Sequence, residues 1–272
     1  MNAGIISPAR VALIAGQTFR EAVRQRLLGL LLAMLAASAG VALVLRDFHF
    51  GTTEQKFVLD AGFGAEALFG SILAIAATAQ LFLGEIERRT VLMVLAKPVR
   101  RAEFVVGKLG GVLLLLLVFC AALTALLIAL VWAQGRPWAS AGASAALFGG
   151  IALCGFVQWL ELSVLAAATL LIASFARSSL FAVMTAFAVL VAGHLHPLAR
   201  DFYAATGPGW AAAGARLLSW VLPDFRLFDV ADRVAGGPPL SAGVIAGIAG
   251  YGIAYLGGLS ALAVWCFHRR EL

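Results

Sequence analysis

The chain has 272 residues, of which 62% are hydrophobic, 29 are glycine and 12% are charged. Soluble domains carry about 25% charged residues, so these side chains are too few to cover a water-soluble surface. The composition therefore predicts an all-α integral membrane protein, with a single transmembrane domain over residues 1–272. The net charge of +6 is typical of basic loops on one side of a membrane and does not indicate nucleic acid as a partner.

The segment before the first apolar run is predicted to form an amphipathic helix that lies in the membrane interface. Val11, Ala15 and Phe19 recur at four-residue steps, while Arg20 and Arg24 fall on the opposite side. This spacing sets an apolar stripe against a charged face, which is the pattern of an interfacial helix.

Six segments are apolar enough to cross a bilayer, because a spanning helix needs about 20 mostly apolar residues. They are residues 27–45, 62–83, 105–132, 145–174, 180–196 and 243–265. Lys and Arg concentrate before the first segment, in the second loop with its flanks, and at the C-terminus. Positive charge favours the cytoplasmic side, so both termini are predicted to be cytoplasmic.

The loop after the fifth span, residues 197–242, is the longest on the outer side. Its apolar stretch, residues 210–222, is too short to span and is followed by Pro223. A re-entrant or interfacial helix is therefore predicted before the last span. That span begins with Gly243-xxx-Gly247, which permits close helix packing either within the subunit or between two copies.

Glu161 is a charged residue near the middle of the fourth span, where a charge costs about 2.5–3.5 kcal/mol. Gln158 lies on the same helical face. Two interpretations stay open: a lining residue of a translocation path, or a structural hydrogen bond between helices or between subunits. Gln80 in the second span is a weaker case of the same kind.

Other polar residues of the spans favour simpler roles. Glu66 lies near the outer end of its span, where a solvated carboxylate is expected. His194 and His196 flank the outer end of the fifth span and are interpreted as interfacial anchors. No Cys or Met cluster joins them, so no metal site is predicted.

The loop between the second and third spans, residues 84–108, has the most informative pattern in the chain. Acidic and basic residues crowd its first turn, a short apolar run follows, and Lys97-Pro98 ends that run. Proline disfavours helix at the preceding residue and starts a new one well. The pattern indicates a short helix on the cytoplasmic side, and on composition alone a solvated basic loop fits equally well.

The order of residues in this loop resembles the signature of half-size, six-span ABC exporter permeases. The residues that carry the resemblance are Glu87, Thr90, Leu95, Lys97, Pro98, Val99, Arg101, Phe104, Gly107 and Lys108. Within that class the chain looks most similar to permeases grouped with multicopper-enzyme and nitrous-oxide-reductase maturation. Three other parts of the chain are also similar to the class. They are residues 11–30 before and into the first span, Leu222-Pro223-Asp224-Phe225 before the last span, and the basic C-terminus.

The resemblance implies a permease homodimer in the bacterial cytoplasmic (inner) membrane, with two cytoplasmic ATPase subunits as partners. ATP and Mg²⁺ would be bound by those ATPases, and no cofactor is expected on this chain, which lacks the GxxxxGK[ST] motif. The short helix would be the coupling helix, and the outer gate would include Trp220, Pro223 and Phe225. The implied coupling residues are Glu85, Glu87, Arg88, Arg89, Thr90, Leu95, Lys97, Pro98 and Arg101.

Two other classes of function were weighed against transport. An ATP-independent membrane accessory or assembly factor for metalloenzyme maturation remains the alternative. An intramembrane enzyme is disfavoured, because the sequence has no HExxH or GxSxG constellation and Glu161 alone lacks an acid–base partner. The substrate and the direction of transport do not follow from the sequence.

Overall fold

The computed structural model describes residues 7–24, 54–87, 100–133, 141–206, 222–231 and 241–270, together with a few isolated positions. Within these ranges the chain is helical, apart from short connections, and has no strand. The predicted all-helical class is confirmed. The first predicted span, residues 27–45, lies almost entirely outside the described residues.

The described part contains six α-helices and one 3₁₀ turn. The α-helices are α1 Pro8–Arg24, α2 Glu54–Glu87, α3 Arg101–Ala133, α4 Ala141–Phe175, α5 Ser179–Thr206 and α6 Ala242–His268, and the 3₁₀ turn is Phe225–Phe228.

Five described helices are long and apolar enough to cross a membrane. Their candidate spans are Val58–Glu87, Arg101–Trp132, Leu147–Phe175, Ser179–Phe202 and Ala242–His268. These agree with the last five predicted spans, with one important difference in α5. Together they support a multi-pass membrane protein.

The prediction that the fifth span ends before Pro197 is wrong. Helix α5 continues through Pro197 to Thr206. Proline is tolerated inside membrane helices when neighbouring groups accommodate the freed backbone. The carbonyl that the ring would crowd belongs to the residue four positions earlier, Gly193, which has no side chain to add to the crowding. The connection after this span is therefore shorter than predicted.

Helix α4 lies at the centre of the bundle, where it contacts α2, α3, α5 and α6. The segment around Leu162–Leu170 is continuously buried, because it faces neighbours on all sides rather than along one stripe. Close approach is possible where α2 carries Gly70, at which any Cβ would meet Leu162 and Phe119.

Helix α1 packs lengthwise on the first turns of α3. The contact uses Gly107 and Gly111, whose missing side chains leave room for Ile14 and Thr18 of α1. A Cβ on either glycine would also come within 3.2 Å of a carbonyl oxygen of α1. The predicted helical conformation of this segment is confirmed. Of the two glycines, Gly107 belongs to the 84–108 stretch and Gly111 follows it.

Candidate functional site

The two ends of the 84–108 stretch are helical, with residues 84–87 in α2 and 101–108 in α3. They lie near the start of α1, the end of α4, the start of α5 and the end of α6, and we call this region the basic end of the bundle. Helix α2 ends there at Glu87, and Glu87 Oε1 accepts a hydrogen bond of 2.9 Å from the backbone N–H of Ser179 at the start of α5. A carboxylate at a helix N-terminus satisfies one of its free N–H groups and is favoured by the helix dipole.

Arg101, at the start of α3, caps the C-terminus of α6. Its Nη1 donates to the carbonyl oxygens of His268 at 2.9 Å, Arg270 at 3.0 Å and Phe267 at 3.4 Å. Carbonyl groups in the last turn of a helix lack the intrahelical N–H donors of the helix interior, and a guanidinium can supply donors to them. Arg101 thus joins one end of the predicted coupling loop to the last span.

Arg270 performs the same role for the central helix. Its guanidinium donates to the carbonyl oxygens of Ala173 at 3.0 Å, Ser174 at 3.2 Å and Ala176 at 2.7 Å. Removal of the guanidinium from water lowers the pKa of Arg270. Arg270 is therefore fixed to the end of α4.

A buried lysine and a buried glutamate complete the basic end. Lys108 is 4% exposed, and its Nζ lies 2.5 Å from Glu85 Oε1 and 3.4 Å from Glu21 Oε2. Glu103, fully buried, accepts hydrogen bonds from the backbone N–H groups of Ser7 at 2.9 Å and Arg100 at 3.1 Å. These contacts join α1, α2 and α3, and sequence reasoning assigned Lys108 no such partner.

The predicted coupling residues fall into two groups. Glu85, Glu87 and Arg101 lie at the basic end, where each binds another helix of the same chain. The others lie outside the described residues: Arg88, Arg89, Thr90, Leu95, Lys97 and Pro98. The described part of the signature thus anchors both ends of the loop to the bundle.

A cavity of about 420 Å³ lies toward the opposite end, enclosed by α2, α4, α5 and the segment 222–231. Its polar lining consists of Asp60, Gln158, Glu161, His194, Arg226 and Asp229. Glu161 is 14 residues from the end of α4 at Phe175, or about 21 Å along the helix, and His194 is at a similar distance along α5.

Glu161 is held on the wall of this cavity with a defined orientation. Gln158 Nε2 donates a 2.9 Å hydrogen bond to Glu161 Oε2. The other oxygen, Oε1, lies 3.6 Å from His194 Nε2, which is longer than a hydrogen bond. The structure therefore brings together two of the three predicted path residues and adds His194, which the sequence reading placed at the interface.

Gln80 does not line this cavity. It is an exposed residue of α2, and the α2 residues that line the cavity are Asp60, Phe63, Gly64 and Ala67. Thirteen residues of helix separate Ala67 from Gln80, which is about 20 Å.

The segment 222–231 forms the outer wall of the cavity. Pro223 and Phe225 are buried, and the Phe225 ring stacks on His194 with the centroids 5.4 Å apart. Phe225 also lies against Gly193, where a Cβ would collide with the ring. The third predicted gate residue, Trp220, lies outside the described residues.

Two expectations for polar residues of the spans need correction. Glu66 is completely buried beside Cys120, because its side chain turns toward α3 rather than toward water. His194 and His196 are not at a helix end, since α5 continues to Thr206, and His196 is 7% exposed. No group of three potential metal ligands occurs among the described residues.

A second cavity, of about 440 Å³, opens between α2 and α5. It shares Gly64, Ala67, Glu161 and His194 with the first cavity. Its remaining lining is almost entirely apolar: Leu68, Ser71, Ile72, Phe187, Leu190, Val191 and Leu195. A polar chamber and an apolar groove thus meet at Glu161 and His194.

Comparison with known families gives one match. Residues 12–198 match the family described as ABC-2 family transporter protein. The matched range contains most of α1, the 84–108 stretch, α4 with Glu161, and α5 as far as Leu198. No curated protein matches the chain at a significant level.

Proposed function

The chain belongs to the ABC-2 family of transporter proteins, and we propose that it is the permease of an exporter driven by a separate ATPase. The family consists of membrane-embedded transport subunits, so ATP hydrolysis is expected on a partner chain. The observation that carries the proposal is the match over 187 residues, 12–198 of the chain.

In this proposal the basic end faces the cytoplasm and receives the ATPase. Residues 88–99 form the coupling helix, and Arg88 and Arg89 contact the ATPase. Glu85, Glu87 and Arg101 hold the two ends of the loop to α3, α5 and α6. A push on the coupling helix would then be passed to three helices as a rigid-body movement.

The opposite end then faces the outside of the bacterial inner membrane. The chamber around Gln158 and Glu161 belongs to the translocation path, and Pro223 and Phe225, with Trp220, form the outer gate. Support comes from the position of Phe225, which covers His194 at the wall of the chamber.

The full transporter is proposed to contain two copies of this chain and two ATPase subunits, each ATPase binding ATP and Mg²⁺. Gly243 and Gly247 leave room for a second copy, because no described residue comes within 4 Å of a Cβ built at either position. Contact within the subunit instead uses Gly252, which lies against Leu160. Within the family we place the chain with the permeases of metalloenzyme maturation.

The test is affinity purification of the tagged chain from its native membrane in mild detergent. Partners are identified by mass spectrometry, and stoichiometry and ATP hydrolysis are measured on the eluate. A P-loop ATPase present in equal amount and active supports the proposal. Its absence, also after crosslinking, would refute the exporter and favour an ATP-independent assembly factor.

A charge-reversal pair makes the test specific to the loop. Arg88→Glu with Arg89→Glu should leave the chain in the membrane but remove the ATPase from the eluate, because the docking charges are inverted. Arg200→Glu is the matched control, since Arg200 is a partly exposed residue on α5 far from the basic end. Equal ATPase recovery from both variants would contradict the coupling role.

A further inference from the structure

Acidic residues outnumber basic residues among the described residues that line the chamber. Among its described lining residues, Asp60, Glu161 and Asp229 are acidic and Arg226 is the one basic residue apart from His194. Arg226 is exposed, whereas Glu161 is 6% exposed. A cleft with more acidic than basic residues favours cations over anions.

Glu161 presents one carboxylate oxygen to this space. Its Oε2 is bound by Gln158, while Oε1 has no hydrogen bond from any described residue and has His194 Nε2 at 3.6 Å. This oxygen lies at the cavity wall, where a ligand N–H can donate to it. A charged N–H donor forms the strongest such bond.

The walls beside Glu161 suit an apolar body attached to that donor. Phe63, Phe225 and Phe228 line the chamber and are 5%, 1% and 2% exposed. The volume of about 420 Å³ lies in the range of pockets for small organic molecules.

The apolar groove between α2 and α5 continues from the same carboxylate. Leu68, Ile72, Phe187 and Val191 line it, and Glu161 and His194 lie at its junction with the chamber. A molecule with one charged end and one hydrocarbon end would fill both spaces. A hydrophilic cation would leave the groove unfilled, and a neutral lipid would offer no charged donor to Glu161 Oε1.

We propose that the chamber and the groove form one binding site for cationic amphiphiles, with a protonated amine at Glu161 and the hydrocarbon part in the groove. The inference rests on the proposed transport function for the use of the site, but not for its existence. The proposed substrates are amphiphiles that carry an amine, whereas the family match by itself indicates no substrate class.

The experiment measures binding of three dansyl probes to the full chain in lipid nanodiscs without nucleotide. Dansylcadaverine carries a protonated amine, its N-acetyl derivative is neutral, and dansyl-6-aminohexanoate is an anion. Energy transfer from tryptophan to dansyl reports binding, with empty nanodiscs subtracted. We expect the amine to bind at least tenfold more tightly than either analogue. Equal binding of the amine and its acetyl derivative, or tighter binding of the anion, would overturn the proposal.

Glu161→Gln removes the charge while keeping the shape, and should reduce amine affinity at least tenfold without changing the neutral probe. Asp201→Asn is the matched control, because Asp201 is an exposed acid on α5 outside the cavity lining. It should leave all three affinities unchanged. Retention of the amine preference by folded Glu161→Gln would also overturn the proposal.

A second variant covers the case in which Glu161→Gln does not fold. Asp229 is exposed and lines the chamber, so Asp229→Lys should fold and weaken the amine at least fivefold while tightening the anion. Unchanged affinities would refute the cationic site.

ATPase recovery from the same membranes separates the two proposals. Recovery of the ATPase without an amine preference refutes the binding site alone. An amine preference without an ATPase supports the site and refutes the exporter.

Discussion

The two ends of the bundle use charged residues in opposite ways. At the basic end, Glu87, Arg101 and Arg270 bind the exposed termini of neighbouring helices, and Lys108 is enclosed by two carboxylates. At the other end, Glu161 has one oxygen directed to a cavity. In the first region charged side chains join helices to one another, and in the second a charged side chain faces a space that a ligand could enter.

Because of this difference, we expect mutations at the basic end to reduce stability and mutations at the cavity to reduce ligand binding. When a charged residue that caps a helix is mutated, the backbone groups at that helix end lose their hydrogen-bond partner, so the free energy of unfolding falls. A charged residue that faces a cavity has fewer contacts with the rest of the protein, so its mutation should reduce ligand affinity more than stability. The free energy of unfolding of single variants compares the two ends. It is followed in detergent by the reactivity of the buried free cysteines Cys120 and Cys154.

The largest effect is expected for Lys108→Met. The change removes the cation between Glu85 and Glu21 and leaves two carboxylates facing each other, which should cost about 3 kcal/mol. Adding Glu85→Gln should restore part of the loss, because it removes one of the two like charges. A cost below about 1 kcal/mol would show that the basic end is not held by this ion pair.

Arg270→Ala should cost about 2 kcal/mol, because three carbonyl groups at the end of α4 lose a charged donor. Arg269→Ala is the neighbouring control. Arg269 is exposed and lies over the Trp265 ring, 4.1 Å from its centroid, so its loss should cost under about 1 kcal/mol. Equal effects would indicate that general basic charge, rather than helix capping, stabilises the C-terminus.

Gly193→Ala tests the opposite end by pushing the 222–231 segment away from α5. The new Cβ would collide with Phe225, so an overpacking cost of about 1–2 kcal/mol is expected. His194 should also react faster with diethylpyrocarbonate once the stacked Phe225 ring moves. Gly149→Ala serves as control, since no described residue lies within 4 Å of its Cβ. An unchanged His194 rate would contradict the packing of this wall.

The smallest effect on stability is expected for Glu161→Gln, under about 1 kcal/mol, because the amide keeps the shape of the side chain and can still accept from Gln158. Transport and substrate-stimulated ATP turnover should nevertheless change. Loss of the protein from the membrane would instead support the structural interpretation of Glu161 and remove the contrast between the two ends.

Several features of the fold follow from the sequence because they depend on local composition. Long apolar runs form helices in a membrane, since only internal hydrogen bonding satisfies their backbone. The last five spans and helix α1 are of this kind. The end of α5 is different, because a proline such as Pro197 ends a helix in water but is tolerated when the surroundings permit it.

The candidate sites also have some features that depend on local sequence and others that depend on packing between helices. The sequence alone identified Glu161 as unusual, because the cost of a charge at mid-depth does not depend on which neighbours surround it. The sequence also identified the 84–108 stretch, because a charged turn, a short apolar run and a proline follow one another within it. Tertiary structure alone decided that His194 faces Glu161, that Gln80 lies elsewhere, and that Glu66 is buried. Those facts depend on how helices rotate and pack against each other, and contacts between residues distant in the chain set that rotation.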